Sequence, residues 1–187
     1  MMHPAIHAAV SGIAGVGVVA MAHIPAGSVI WGPCPKCRVW TTQEQNRVPE
    51  AILLWIHEYG YSLNDGSVLV PCGGAHLMNH SCQSSVLDFG LNVGVAVQDM
   101  EPGDEVTCDY RTFAFDRPWQ LHCNCGSTNC AGFIEIAGDG RYPNELRTMW
   151  KNRMREALDR MAVVSQFAKW QHGSVIDHRN VHRVASA

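Results

Sequence analysis

The stretch Asn79-His80-Ser81-Cys82 decides the fold, because it sets an amide, an imidazole and a thiol close together after the apolar pair Leu77-Met78. Further along the chain, Cys123-Asn124-Cys125 and Cys130 give a C-x-C-x4-C spacing. Between them lies the acidic segment Gly103-Asp104-Glu105-Val106-Thr107-Cys108-Asp109-Tyr110, which ends in a tyrosine. Together these features suggest a catalytic domain that is closed by a metal ion.

The spacing of the last three cysteines favours a zinc site over disulfides. Structural zinc sites use four tetrahedral thiolate or imidazole ligands, and Cys123, Cys125 and Cys130 supply three. We expect Cys82 to be the fourth ligand, because it would join this segment to the Asn-His stretch. A disulfide between Cys123 and Cys125 would be strained. Residues 111–134 lack apolar periodicity, so we predict a loop-rich segment that the metal orders.

A second pair of thiols, Cys34-Pro35-Lys36-Cys37, has the spacing of half a zinc knuckle. Its partners stay open at this point. Cys72 and His76 are candidates for a second zinc site, and two thiols in a loop are the alternative. Cys108 lies in a predicted strand, where a buried packing role is typical of cysteine.

Composition and charge set limits on the class of protein. The chain has 187 residues, 47% of them hydrophobic and 17% charged, which indicates one globular domain with room for an appendage. A net charge of -3 gives no basic footprint, so we expect no direct contact with nucleic acid. Glycines interrupt the apolar run at 8–24 and no Lys or Arg precedes Lys36, so we expect neither a secretion signal nor a membrane span. The expected setting is soluble and intracellular: cytoplasmic, or nuclear in a eukaryote.

The local patterns predict mainly strands. Residues 10–31 should form strands around the turn Gly15-Val16-Gly17, and residues 43–59 should form a helix with Thr42 as its N-cap and Gln45 closing a capping box. Further strands are expected at Val68–Val70, Leu91–Val97 and Glu105–Tyr110.

The longest predicted helix covers residues 143–170, with Pro143 in its first turn. Its apolar stripe consists of Leu146, Met149, Trp150, Met154, Ala157, Leu158, Met161 and Val164. This stripe is expected either to pack on its own domain or to pair with a second copy of the chain in a homodimer.

The order of these motifs, from Gly-x-Gly with Val18-Val19-Ala20 through Asn-His-Ser-Cys to the C-x-C-x4-C cysteines, resembles the SET domain with its post-SET zinc motif. The resemblance covers roughly residues 12–134. It implies a mostly β fold with some α-helix, in which small sheets surround a threaded loop called a pseudoknot. We therefore expect a SET domain over 10–110, a post-SET zinc lobe over 111–134 and a helical extension over 141–172.

The resemblance also implies a function. SET domains transfer a methyl group from S-adenosylmethionine to a lysine amine, usually in a protein. Carried over by position, Tyr110 is the catalytic tyrosine, and Gly15, Val16 and Gly17 hold the methionine part of the cofactor. Asn79 and His80 contact its adenosine. The zinc ligands of the family match Cys82, Cys123, Cys125 and Cys130.

A lysine channel is expected beside Tyr110. Its candidate lining residues are Cys108, Phe113, Phe115 and Trp119. The three aromatic residues have packing around the zinc lobe as an alternative role.

Three departures from the family pattern concern the substrate more than the cofactor. His76-Leu77-Met78 stands where an Arg or similar residue is expected before the Asn. Gln83-Ser84-Ser85 stands where x-Pro-Asn is frequent, and Cys108 stands where Phe or Tyr is common. The smaller Cys108 favours more than one methylation. Alternatives to a protein-lysine methyltransferase are a SET-fold enzyme that uses S-adenosylmethionine on a small amine or in another cofactor-derived reaction, and a non-catalytic binding module. Retention of Tyr110, Asn79 and His80 argues against the last of these.

Overall fold

The computed structural model describes residues 1–63, 65–88, 93–112, 118–137 and 143–166. In chain order the strands there are β1 (Ile6–Val10), β2 (Val16–Ala20), β3 (Val29–Trp31), β4 (Arg38–Trp40), β5 (Tyr61–Ser62), β6 (Val68–Val70), β7 (Val86–Leu87), β8 (Gly94–Ala96), β9 (Trp119–His122) and β10 (Phe133–Ile136). The helices are α1 (Thr42–Gln45), α2 (Glu50–Tyr59) and α3 (Asn144–Met161). The prediction of a mostly β fold with some helix is confirmed.

The strands form four small antiparallel sheets rather than one large one. Their orders are β1-β2, β3-β8-β7, β4-β6-β5 and β10-β9. The predicted strands around the first glycine turn are confirmed, with Val10 opposite Val16 and Gly15 in the left-handed region at φ +52°. The first strand begins at Ile6, before the predicted position 10. Of the strand predicted over Leu91–Val97, Gly94–Ala96 is observed, and residues 91 and 92 lie outside the described part.

The helix predicted over residues 43–59 is wrong in its continuity and in its cap. It is two helices, α1 and α2, because Pro49 cannot continue the first and instead stands at the N-terminus of the second. The N-cap is Thr41 and its capping-box partner is Glu44, one residue before the predicted pair. Glu44 also accepts a hydrogen bond from Arg38 Nη2 at 2.6 Å, which favours this register.

The segment from Glu105 to Tyr110 is threaded between two other parts of the chain. The Val106 amide donates to the Val18 carbonyl oxygen of β2 at 2.8 Å, and the Cys108 amide donates to the Asn79 carbonyl oxygen at 3.0 Å. Because its partner changes along its length, the segment forms isolated bridges instead of the predicted strand, and a 3₁₀ turn begins at Tyr110. This threading is the pseudoknot that the resemblance implies.

The predicted loop-rich character of residues 111–134 is wrong in part, because β9 and β10 form an antiparallel hairpin. Ile134 and Ile136 alternate inward along β10, where they pack with Cys82 and Cys123. This short alternation of apolar and polar residues predicts a strand. It is easily missed when a segment is examined for helical periodicity.

Helix α3 packs on its own domain. Trp150, Met154 and Ala157 are buried against a cluster that contains Val29 and Val95 of β3 and β8. The helix ends at Met161, earlier than the predicted residue 170. Beyond it, the Gln166 side chain accepts from the Val29 amide and donates to the Gly27 carbonyl oxygen, both at 2.9 Å. A homodimer through this helix stays a prediction.

None of the helices in the described part of the chain combines the length and the apolar character that crossing a bilayer requires.

Candidate active site

A cavity of about 590 Å³ opens between the β1–β2 turn, the end of α2 and residues 75–79. Its lining includes six of the residues predicted for the cofactor site and the channel, namely Gly15, Val16, Asn79, Cys108, Tyr110 and Trp119. These residues come from four distant parts of the sequence, so the fold itself assembles the site. The two remaining residues predicted for the cofactor site, Gly17 and His80, lie next to members of this set.

Asn79 holds the glycine turn in place. Its Nδ2 lies 2.8 Å from Ser11 Oγ, 3.0 Å from the Ala14 carbonyl oxygen and 2.9 Å from Glu105 Oε1. The Glu105 carboxylate also accepts from Ser11 Oγ at 2.7 Å and from the Gly12 amide at 3.2 Å. Asn79 and Glu105 therefore fix the backbone at the cavity's edge, a role that the sequence analysis did not assign to Glu105.

Gly17 lies directly against this polar network. A Cβ atom at this position would come within 2.5 Å of Glu105 Oε1 and 3.1 Å of Asn79 Nδ2. Any other residue would displace the carboxylate or the amide. Gly17 is thus required by close packing, which is distinct from the predicted contact with a cofactor.

Tyr110 presents a neutral phenol to the cavity. Its hydroxyl donates to the Met78 carbonyl oxygen at 2.8 Å. Burial raises the pKa of Tyr110 well above its usual range, and nearby Cys108 acts in the same direction. With its proton directed to Met78, the phenolic oxygen can take part in any further hydrogen bond only as an acceptor.

His80 connects Tyr110 to the cysteine cluster. Its Nδ1 accepts a hydrogen bond from the Tyr110 amide at 3.1 Å, which places the ring proton on Nε2, 3.4 Å from Cys82 Sγ. Burial lowers the pKa of His80 to about 4 although Asp109 lies 3.6 Å away, so the ring is neutral. The predicted contact of His80 with adenosine stays a prediction.

A buried carboxylate joins α3 to the site. Asp109 accepts from Arg111 Nε at 2.8 Å and Nη2 at 2.7 Å, and from Trp150 Nε1 at 2.9 Å. The sequence analysis missed this network because the resemblance stopped before α3. A tryptophan on the buried face of a helix was the available signal, since a buried indole N–H needs an acceptor.

Two of the four residues expected to line the lysine channel lie in the part of the chain that the structure describes. Cys108 is buried, and the Trp119 ring lies 5.9 Å from that of Tyr110. The other two predicted channel residues, Phe113 and Phe115, lie outside the described residues. The cavity lining adds Trp31 and Tyr61, whose rings are 5.7 Å apart, and Asp88, whose carboxylate accepts from Thr112 Oγ1 at 2.9 Å.

The pKa of the Asp88 carboxyl is raised to about 6 by burial. No motif in the sequence pointed to Asp88, because its place in the cavity depends on the packing of β7.

The structure brings together the four cysteines expected to bind zinc. The sulfur atoms of Cys82, Cys123, Cys125 and Cys130 all lie within 4.8 Å of one another, and those of Cys82 and Cys123 are 3.8 Å apart. Backbone amides of Ala131 and Gly132 donate to Cys82 Sγ and Cys130 Sγ, both at 3.4 Å. Amide donors of this kind stabilise thiolates, so the donor set suits a tetrahedral zinc ion.

Comparison with known proteins agrees with this geometry. The SET domain family matches residues 15–111. The histone-lysine N-methyltransferase ASHR3 of Arabidopsis thaliana is 31% identical over 93 residues, which are 46% of this chain and 18% of that protein. The histone-lysine N-methyltransferase TRX1 of Oryza sativa subsp. japonica is 35% identical over 75 residues, 36% of this chain and 7% of that protein. The chain thus spans less than a fifth of the length of these relatives.

Among solved structures, the crystal structure of KRYPTONITE in complex with mCHG DNA and SAH is similar. It is 26% identical with a TM-score of 0.47, over 68% of this chain and 28% of that one.

The site combines a glycine turn fixed by Asn79 and Glu105, a threaded segment and the half-buried Tyr110. The family match covers more than half of the chain. The chain belongs to the SET-domain family.

Proposed function

We propose that this protein transfers the methyl group of S-adenosylmethionine to a lysine side-chain amine of a protein substrate. One observation carries the proposal: a single cavity joins the glycine turn fixed by Asn79 and Glu105 to the hydroxyl of Tyr110. The names of the relatives, which are histone-lysine N-methyltransferases, support the same chemistry. A lysine-rich protein of the histone kind is the substrate class we propose.

The residues of the cavity fit the cofactor. A volume of about 590 Å³ is within the range of small-molecule sites. Gly15 and Val16 allow a ligand to approach the backbone closely, and Asn79 stands beside them. S-adenosylmethionine supplies an already activated methyl group, so the protein must contribute mainly alignment.

The remaining requirement is a neutral and correctly directed amine. Removing a proton from a lysine of pKa near 10.4 costs about 4–5 kcal/mol at pH 7. Aromatic walls formed by Trp31, Tyr61 and Trp119 desolvate the amine and disfavour its charged form. The Tyr110 oxygen, whose own proton is donated to Met78, is then an acceptor that orients an amine N–H. We assign Tyr110 the catalytic role on this basis.

We also propose that Cys82, Cys123, Cys125 and Cys130 hold a structural zinc ion, since their four sulfur atoms converge. The ion would fix the β9–β10 hairpin and, with it, Trp119 at the mouth of the cavity.

Methyl transfer from labelled S-adenosylmethionine to purified histones and to a cell lysate tests the function. We expect labelled lysine in the wild type, and in Tyr110→Phe a large loss of turnover with cofactor affinity retained by calorimetry. Full activity of Tyr110→Phe would refute the role given to the hydroxyl. Turnover of free lysine or another small amine without labelling of any protein would contradict the proposed substrate class.

A further inference from the structure

A second group of thiols lies apart from the four-cysteine cluster. Cys34 and Cys37 stand in the loop between β3 and β4, and Cys72 follows β6. Their sulfur atoms are separated by 3.9 Å (Cys34 and Cys37), 3.3 Å (Cys34 and Cys72) and 3.5 Å (Cys37 and Cys72). This convergence needs two segments that are distant in sequence to meet, so it is produced by the fold and not by spacing alone.

These distances match a single metal ion. Thiolates bound tetrahedrally to one zinc ion at 2.3 Å are about 3.8 Å apart. A disulfide would bring two of the sulfur atoms to about 2.05 Å and exclude the third. The Cys34–Cys37 side matches the zinc spacing and the other two sides are somewhat shorter. All three are much longer than a disulfide bond, which favours a shared ion over a bonded pair.

The backbone around the thiols is shaped for such an ion. The Cys37 amide donates to the Cys34 carbonyl oxygen at 2.8 Å, which closes a tight turn, and the Cys34 amide donates to Cys37 Sγ at 3.4 Å. After Cys72, Gly73 and Gly74 have φ values of +69° and +85°, so the chain turns away sharply from the sulfur.

We propose that Cys34, Cys37 and Cys72 bind a second zinc ion. Within the described ranges these three are the Cys, His, Asp and Glu side chains that converge here, so the fourth coordination position belongs to a ligand other than these thiols. His76, the alternative candidate from the sequence, instead places its Nδ1 3.3 Å from the Pro71 carbonyl oxygen.

The second zinc would brace one wall of the cavity. Arg38 of β4 pairs with Val70 of β6, so Cys37 and Cys72 flank the same end of that ladder. Pro71, next to Cys72, lines the cavity, and β5 with Tyr61 is the other neighbour of β6. An ion here would hold β4 and β6 together in the sheet that carries Tyr61, through ligands separate from the four-cysteine cluster.

Metal content of the full-length protein tests this inference. Native mass spectrometry with elemental analysis should give two zinc ions per wild-type chain. Cys34→Ser and Cys72→Ser should each retain one. Cys108→Ala is the matched control, because Cys108 belongs to neither cluster, and it should retain two. One zinc in the wild type, or iron in place of zinc at the second site, would overturn the proposal.

A second measurement does not depend on whether the variants fold. In the native wild type, Cys34, Cys37 and Cys72 are partly exposed, yet bound zinc should protect them from alkylation until a chelator is added. After chelation and denaturation, all eight cysteines should react as free thiols. Six reactive thiols would show a disulfide within the triangle and refute the zinc assignment, as would rapid alkylation of these three residues before chelation.

Discussion

The substitution Asp88→Asn should increase the free energy of unfolding above pH 6, and this increase should become smaller as the pH falls. In the fold, burial raises the pKa of this carboxyl from 3.8 to about 6, and the nearby Asp109 acts in the same direction. The folded state therefore holds the Asp88 proton more tightly than the unfolded state does. Above pH 6 the fold must carry an unfavourable charge, and this penalty disappears only below the unfolded pKa.

The size of the effect follows from the difference between the two pKa values. About two units correspond to about 3 kcal/mol at pH 7.5, and linkage reduces the penalty to about half of that at pH 5. Asp88→Asn has no charge to desolvate and keeps an oxygen to accept from Thr112. We therefore expect its advantage in free energy of unfolding to be about twice as large at pH 7.5 as at pH 5.

Urea unfolding of zinc-replete wild type and Asp88→Asn at pH 7.5 and pH 5 measures this difference in free energy of unfolding. The effects of pH on the cysteine thiolates are the same in both proteins and cancel in the comparison. Thr112→Val is the informative control, because it removes the hydroxyl that favours the charged carboxylate. Its destabilisation should be greater at pH 7.5 than at pH 5, opposite in sign to Asp88→Asn. A pH-independent difference, or an Asn variant less stable than wild type at pH 7.5, would refute the reasoning.

Three further predictions concern the rest of the site. Gly17→Ala should greatly weaken S-adenosylmethionine binding in calorimetry, because its Cβ collides with Glu105; unchanged affinity would contradict the role of that network. Trp150→Phe should lower the free energy of unfolding by about 1.5–3 kcal/mol through loss of a hydrogen bond to a buried carboxylate, and a cost near zero would count against the Asp109 link. Cys125→Ser should increase amide hydrogen exchange in β9 and β10 while α3 stays protected, whereas an unchanged hairpin would speak against a structural zinc there.

The parts of the fold that the sequence predicted correctly are those with strong local or motif signals. The glycine turn, the strand at Val68–Val70 and the convergence of Cys82 with the last three cysteines all follow from short patterns. The capping box at α1 was displaced by one residue, because Thr41 and Thr42 each have an acidic or amide partner three residues later. The contact between Glu44 and Arg38 decides between them, and that contact is tertiary.

The missed features depend on contacts between distant elements. Asp109 meets Trp150 only because α3 packs on β3 and β8, and Asp88 reaches the cavity only because β7 pairs with β8. The partners of Cys34 and Cys37 were left open for the same reason, since no spacing rule joins residues that flank two different strands of one sheet. The spacing of cysteines in the sequence identifies candidate metal ligands, whereas the register of the sheet determines which of their sulfur atoms come together.

His80 links Tyr110 to Cys82, a connection that the sequence Asn79-His80-Ser81-Cys82 does not reveal. Its ring receives the Tyr110 amide on one nitrogen, so the other must carry the proton and point to Cys82 Sγ. A ligand thiolate would strengthen that second bond, because charge-assisted hydrogen bonds are about twice as strong as neutral ones. On the proposed function, the position of Tyr110 would depend on the charge of the four-cysteine cluster, and metal binding and alignment of the amine would be coupled through the buried imidazole of His80. The short spacing in Asn79-His80-Ser81-Cys82 places the contact with the glycine turn, the contact with Tyr110 and one cysteine of the cluster within four consecutive residues.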